Sequence, residues 1–234
     1  MATSKQSAII IGVGPFVSRS VSLYLAGQNY QIGLISRTEA NIDKLATELR
    51  DNGSTVHTQA ADAGNAASLE SALDTLATKL GGVDVLVYNA ARVGPNDLMT
   101  TNPGVFEQDF KTAATGTLVA GQWFSKHANT ASDTRPLLII TGGVLDREPN
   151  ADYASLSAVK AASQSISKMF SQVLPEKYGI QVGMPLIVEP IIPKEGGGYV
   201  TKSDPDVIVK QIFKPFFDAR ENREYKDWIT ERIH

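Results

Sequence analysis

Ser7 to Gln28 reads SAIIIGVGPFVSRSVSLYLAGQ, and this stretch decides the architecture. Its apolar run is too short for anything but a buried strand and stops at Gly12 and Gly14; from Phe16 to Gln28 apolar residues recur at helical spacing and close near Gly27. A strand that passes through glycines into a helix brings turn amides and a helix N-terminus to one point, an arrangement suited to a pyrophosphate. Two glycines after a strand are also simply a turn, so the rest of the chain has to choose.

The alternation continues outward from that unit. Strand-like YQIGLIS (Tyr30–Ser36), TVHTQAA (Thr55–Ala61), VDVLVYNAA (Val83–Ala91), RPLLIITGG (Arg135–Gly143) and IQVGMPLIV (Ile180–Val188) are separated by helical stretches. Those stretches are Glu39–Gly53, Asn65–Gly82, Val105–Ala128 and Tyr153–Gly179. Short apolar strands joined by crossover helices predict an α/β, doubly wound fold: a parallel sheet with helices on both faces and ligands at the carboxyl ends of the strands. One domain over residues 1–234 accounts for the length. The Gly/Pro-rich segment near 189–204 suggests a substrate flap ahead of a last helix.

With 42% hydrophobic and 20% charged residues the chain can bury a sizeable core. Its net charge is −3 and its basic residues are scattered, which points to small-molecule partners and away from nucleic acid. There is no cysteine, and His57, His127 and His234 lie far apart in sequence, so no metal site is expected. The N-terminal apolar run is too short to span a membrane and lacks a signal-peptide pattern, so no membrane partner and a cytoplasmic location are expected.

Arg37 follows Ser36 at the end of the second strand, where NAD sites usually place a carboxylate. A guanidinium there suits a 2′-phosphate, which favours NADP(H) as cofactor; the alternative is a solvated arginine paired with Glu39. Taken together these features resemble the short-chain dehydrogenase/reductase family, from IIIGVGP through QVGMPLIV. The resemblance implies a single-domain Rossmann fold. Its glycine motif, TGxxxGxG, meets Gly12 at the first glycine, while Phe16 and Ser18 stand where later glycines are usual. The resemblance further implies a cofactor lined by Gly12, Gly14, Pro15, Phe16 and Val17, by Ser36 and Arg37, by Asp62 and Ala63, by Asn89, Ala90 and Ala91, and by Lys160 and Ile187.

The family's catalytic pattern is Tyr-x-x-x-Lys, and KAA at Lys160–Ala162 fixes the register. Four residues earlier stands Leu156. Tyr153, seven residues before the lysine, lies roughly a turn away from the acid's position. Gly143 or Gly142 takes the place of the family serine, and Ala113 that of its asparagine, so Lys160 alone is kept. A positioned hydroxyl acid contributes roughly 10²- to 10⁴-fold, and ordinary ketone reduction should suffer without one. Arg92, just after the fourth strand, is the candidate replacement and is expected to act with Lys160. Gly143, Asp152 and Leu156 join Arg92 as substrate-contacting candidates. Asp146, Arg147 and Asp152, in the loop before the long helix, are further candidates for the replacement polar group; Asp152 reads equally as a helix N-cap, and Asp146 with Arg147 as a solvated pair.

Two functions follow. One is an NADPH-dependent reductase acting on a small organic substrate such as an iminium or activated carbonyl. The other is a cofactor-binding protein without redox turnover: a sensor, a partner subunit, or a cyclase or isomerase template. The family resemblance also implies a homodimer or homotetramer built on the helices Val105–Ala128 and Tyr153–Tyr178, whose Ala, Gly and Ser content permits close approach.

Overall fold

The computed structural model describes residues 5–189, 191–193 and 199–224. Six strands form its main sheet: β1 (Ser7–Ile11), β2 (Gln31–Ser36), β3 (Val56–Ala60), β4 (Val85–Tyr88), β5 (Leu137–Ile140) and, after the two-residue β6 (Gly142–Gly143), β7 (Gln181–Gly183). Their order is β3-β2-β1-β4-β5-β7 and every pairing is parallel. Helices α1 (Val17–Gly27), α2 (Glu39–Asp51), α3 (Ala66–Leu80), α4 (Pro103–Phe110), α5 (Gly116–His127) and α6 (Ala154–Tyr178) make the crossovers. The expected doubly wound α/β fold is the one observed.

The strands are apolar at every position because both faces are covered. Ile10, Leu34, Val87 and Ile139 point into one core with Val21 and Leu25 of α1. Their neighbours Ile9, Ile11, Leu86 and Ile140 point into the other, against Leu73 of α3 and Phe124 of α5. The order of connection reverses between β1 and β4, so a crevice opens at the carboxyl ends of those two strands.

Three differences from the sequence reading have local causes. The helix expected from Val105 begins at Pro103, where Asn102 caps it by accepting the Gly104 amide at 2.8 Å and proline occupies the first turn. It then passes through a π turn, Lys111–Thr115, into α5. The Tyr88 phenol donates to the Thr112 carbonyl inside that turn, and a side chain inserted into the carbonyl ladder is one cause of such a bulge. The last expected strand is split: Pro185 has no amide to give, and the chain resumes as β8 (Leu186–Ile187), which pairs with β6.

Of the expected flap, β9 (Ile191–Pro193) and β10 (Tyr199–Thr201) form an antiparallel pair; residues 190 and 194–198 lie outside the described residues. The chain then forms α7 (Pro205–Ile208), a second π turn and α8 (Lys214–Glu221). Arg220 of α8 is buried under the opposite, amino-terminal end of the sheet. It donates to the Arg135 carbonyl at 3.0 Å and the Tyr30 phenol at 2.9 Å, and its other guanidinium nitrogen lies 3.5 Å from Asp84.

Several small residues around α5 and α6 pack within the protomer. Gly121 lies against the Phe170 ring, and Ala113, Ala114, Ala120, Ser157 and Ser163 are buried within the protomer. Phe110 of α4, Leu118 of α5 and Met169 and Val173 of α6 are exposed.

Candidate cofactor and substrate cleft

The loop after β1 is shaped by Gly12. Its φ of +86° lies in the left-handed region, and a Cβ added there would stand 2.5 Å from the Ala90 Cα and N. Close approach of β4 therefore requires glycine. The Asn89 side-chain amide donates to the Gly12 carbonyl at 3.4 Å, and the Asn89 backbone amide to the Ile11 carbonyl at 2.9 Å, joining the two strand ends into one edge. At Gly14 an added Cβ would meet nothing nearer than the Ser18 hydroxyl at 4.0 Å, so that side of the loop is open. Ser18, where the resemblance expects glycine, accepts the Gly14 amide at 2.8 Å and takes up one donor that would otherwise face the cleft. The first-turn amides of α1 have no intrahelical acceptors, and Phe16 provides no side-chain cap.

A cleft of about 1220 Å³ extends from this loop across the strand ends to α6. It is larger than an ordinary small-molecule pocket of roughly 300–1,000 Å³, leaving room for a dinucleotide and a second small molecule. Gly12, Gly14, Pro15, Phe16, Val17, Ser36, Arg37, Ala63, Asn89, Ala90, Ala91, Lys160 and Ile187 all border it, as do Arg92, Gly143 and Leu156. Left-handed Gly12, the open side of Gly14, the uncapped start of α1 and Arg37 at the end of β2 fit a dinucleotide phosphate.

Two sequence-chosen residues do not border the cleft. Asp62 lies between two residues that do, but its carboxylate turns back to accept the Gly64 amide at 2.9 Å. Asp152 is exposed, and its amide donates to Asn150 Oδ1 at 2.8 Å. Nor does Asp152 cap α6: the capping position is Tyr153, which makes no side-chain cap bond.

At the far end of the cleft Lys160 Nζ donates to the Thr141 carbonyl at 2.9 Å. Burial depresses the lysine's affinity for its proton, to a pKa of about 8, against the opposing pull of Asp146. Of the two readings of Asp146, a replacement polar group or a solvated partner of Arg147, the second does not hold. The Asp146 side chain is 0% exposed, and burial raises its pKa against the influence of Arg147 and Lys160. Beside Lys160, Ala113, Leu156 and Val159 form an apolar cluster with Ala91, Leu145 and Tyr153 packed on it. Tyr153 borders the cleft as well. The Ala113 carbonyl accepts the hydroxyls of Thr117 at 2.6 Å and Ser163 at 3.2 Å.

Arg92 is clamped. Its Nε donates to Asp109 Oδ1 at 2.8 Å and its Nη2 to Oδ2 at 2.6 Å, with the Asp109 side chain only 7% exposed. The sequence reading missed Asp109, because nothing in EQDF announces a partner across a loop. It also missed Thr141, which the rule that ligands gather at strand carboxyl ends singles out once β5 is placed. Among the described residues no helix is long and apolar enough to cross a membrane, and no three His, Asp or Glu side chains converge as a metal would need.

The family model described as short chain dehydrogenase matches residues 6–187. A curated relative, the (2S)-[(R)-hydroxy(phenyl)methyl]succinyl-CoA dehydrogenase subunit BbsC of Thauera aromatica, is 32% identical over 89 residues, 38% of this chain and 36% of that protein. The 2,3-dihydro-2,3-dihydroxybenzoate dehydrogenase of Bacillus subtilis is 24% identical over 175 residues, 74% of this chain and 66% of that one. The aligned segments thus span from about a third to just under two thirds of these relatives' lengths. A metagenomic short-chain oxidoreductase solved in complex with NADP has the same fold, with a TM-score of 0.80 at 17% identity over 99% of this chain and 98% of its own.

Proposed function

The chain belongs to the short-chain dehydrogenase family, and from that premise we propose that it is an NADP(H)-dependent reductase of a small organic electrophile that arrives already activated, such as an iminium or an activated carbonyl. The observation that carries this reading is the apolar cluster of Ala113, Leu156 and Val159 beside Lys160, where the family places its hydroxyl acid. When bound, the dinucleotide supplies a hydride. Arg37 would take the 2′-phosphate, the α1 N-terminus and the Gly12–Gly14 loop the pyrophosphate, and Lys160 the ribose hydroxyls nearest the substrate. Leu156 and its neighbours exclude water from the substrate end, and a C=N that is already cationic needs no proton at the moment of reduction. Arg92, held in place by Asp109, would orient the substrate from the β4 side. A neighbour of the same fold captured with NADP supports the cofactor class. The exposed apolar side chains Phe110, Leu118, Met169 and Val173 support a homodimer or homotetramer through α4, α5 and α6.

The test is a stoichiometric assay of NADPH consumption over a panel of imines, iminium ions and carbonyls, with calorimetric binding of NADPH and NADH alongside. Consumption with iminium substrates is expected. Tight NADPH binding with no consumption across the panel would replace this reading with that of a cofactor-binding protein without redox turnover.

A further inference from the structure

We infer that Asp146 is a positioning residue for Lys160: its buried carboxylate is the counter-charge that keeps the lysine amine protonated and aimed into the cleft. Asp146 closes the 3₁₀ turn Val144–Asp146, which packs on α6, the helix that carries Lys160. Its Oδ1 is buried and accepts no hydrogen bond; Arg147 Nε lies 3.5 Å away, beyond a good bond. A buried carboxylate oxygen without a donor is costly unless nearby cations compensate. Arg147 and Lys160 both act on this carboxyl in the direction that favours its charged form.

The need is mutual. Lys160 has a carbonyl dipole, Thr141 O, as its hydrogen-bond acceptor, and burial drives it toward the neutral amine; Asp146 is the charge that opposes this. The other ionisable groups around the cleft are otherwise engaged or placed. Arg92 and Asp109 neutralise each other, Arg37 stands at the β2 end of the cleft, Glu189 accepts the Ser203 amide and hydroxyl, Glu148 is exposed, and Tyr153 sits in the apolar cluster. Asp146 itself does not border the cleft, so it acts through Lys160 and not on a ligand.

This inference rests on the proposed role of Lys160 as a ligand-holding ammonium, yet its test does not need the dinucleotide. Protein carrying ¹³Cε-lysine is titrated by NMR, with Lys160 assigned through Lys160→Arg. Asp146→Asn should move the Lys160 midpoint down by about one pH unit or more. Asp146→Glu, which keeps the charge, should hold it nearer the parent value. An unchanged or raised midpoint in Asp146→Asn overturns the inference. If Asp146→Asn does not fold, ¹³C titration of the Asp146 carboxyl in the parent protein decides: a carboxyl that is ionised at the Lys160 midpoint and responds to the lysine's titration upholds the inference, and one still neutral there overturns it. NADPH calorimetry from pH 6.5 to 9.5 on the same proteins should show affinity falling through the midpoint found by NMR, earlier in Asp146→Asn. Midpoints that shift as described in a protein that binds no NADPH uphold the Asp146 pairing and refute the cofactor reading alone.

Discussion

Gly12→Ala tests whether the turn after β1 is shaped by the approach of β4. The added methyl would lie 2.5 Å from two backbone atoms of Ala90 and 2.8 Å from the Asn89 carbonyl carbon, so no side-chain rotation can relieve it. Forcing a residue with a Cβ into the left-handed region costs roughly 1–2 kcal/mol, and inserting a methyl against packed backbone about 1–3 kcal/mol. Relaxation relieves both together, so the expected loss is about 2–4 kcal/mol in guanidinium unfolding. The loop must also retreat from β4, which displaces the edge that borders the cleft, and NADPH affinity should fall with stability. Gly14→Ala is the control: its Cβ meets only the Ser18 hydroxyl at 4.0 Å and its φ is ordinary. Stability should therefore hold or rise by about 0.4–1 kcal/mol, while the methyl, standing on the open side, weakens NADPH. Should Gly12→Ala unfold within 1 kcal/mol of the parent and bind NADPH as tightly, the reasoning from backbone approach is wrong.

Arg37→Ala should lower the ratio of NADPH to NADH affinity by about 1.5–3 kcal/mol, as calorimetry with both cofactors would show; an unchanged ratio means the arginine is only solvated. Tyr153→Phe should change turnover on an iminium substrate by less than about tenfold, and loss of reduction with NADPH binding intact would identify Tyr153 as a displaced acid. Lys160 has a folded pKa of about 8 against an ordinary value near 10.5, so the unfolded chain binds the proton more tightly. Its charge therefore costs stability below pH 8, and the cost is relieved as pH rises from about 8 to about 10.5. Because the amine opens on a solvent-filled cleft, the gain over that window should be about 1–3 kcal/mol in denaturant melts, and Lys160→Met should abolish it. Arg220→Ala removes a buried cation from Asp84 and the Arg135 carbonyl and should cost about 3–5 kcal/mol, read from the unfolding midpoint.

What the sequence made legible was whatever depends on residues near one another along the chain. The strands announced themselves because IIIG, GLIS and VLVY are apolar at every position, and the strand-to-glycine-to-helix order placed Gly12, Asn89 and Lys160 at one end of a parallel sheet. Partners across elements stayed hidden. EQDF does not say that Asp109 faces Arg92, and VLDR does not say that its turn packs on α6 and buries the carboxylate. AADAG gives Asp62 the right place on β3's exit but not its direction, which the Gly64 amide decides. Among the small residues of α5, Gly121 makes its close contact with Phe170 of α6 in the same protomer. A pattern of small residues reports close approach without naming the neighbour.

The two halves of the cleft differ in what builds them, and this bears on the proposed reading of cofactor binding without a hydroxyl acid. The phosphate end is made of backbone: a left-handed glycine, the amides that begin α1, and a strand end drawn in against them. These features survive most side-chain changes, as the loop's Phe16 and Ser18 illustrate, and the Ser18 hydroxyl even stitches the altered loop to itself. The far end is made largely of side chains on α4, the π turn after it and α6, where a single substitution exchanges a hydroxyl for a hydrocarbon. Leu156 and Ala113 are both buried and pack into one cluster, so apolar side chains stand there without disturbing the elements that carry them. Lys160 is the exception, because burying an ammonium with a carbonyl dipole as its hydrogen-bond acceptor is unfavourable unless a counter-charge or a ligand repays it. A packed apolar wall around a costly lysine is the arrangement that the proposed reduction of an already activated electrophile calls for.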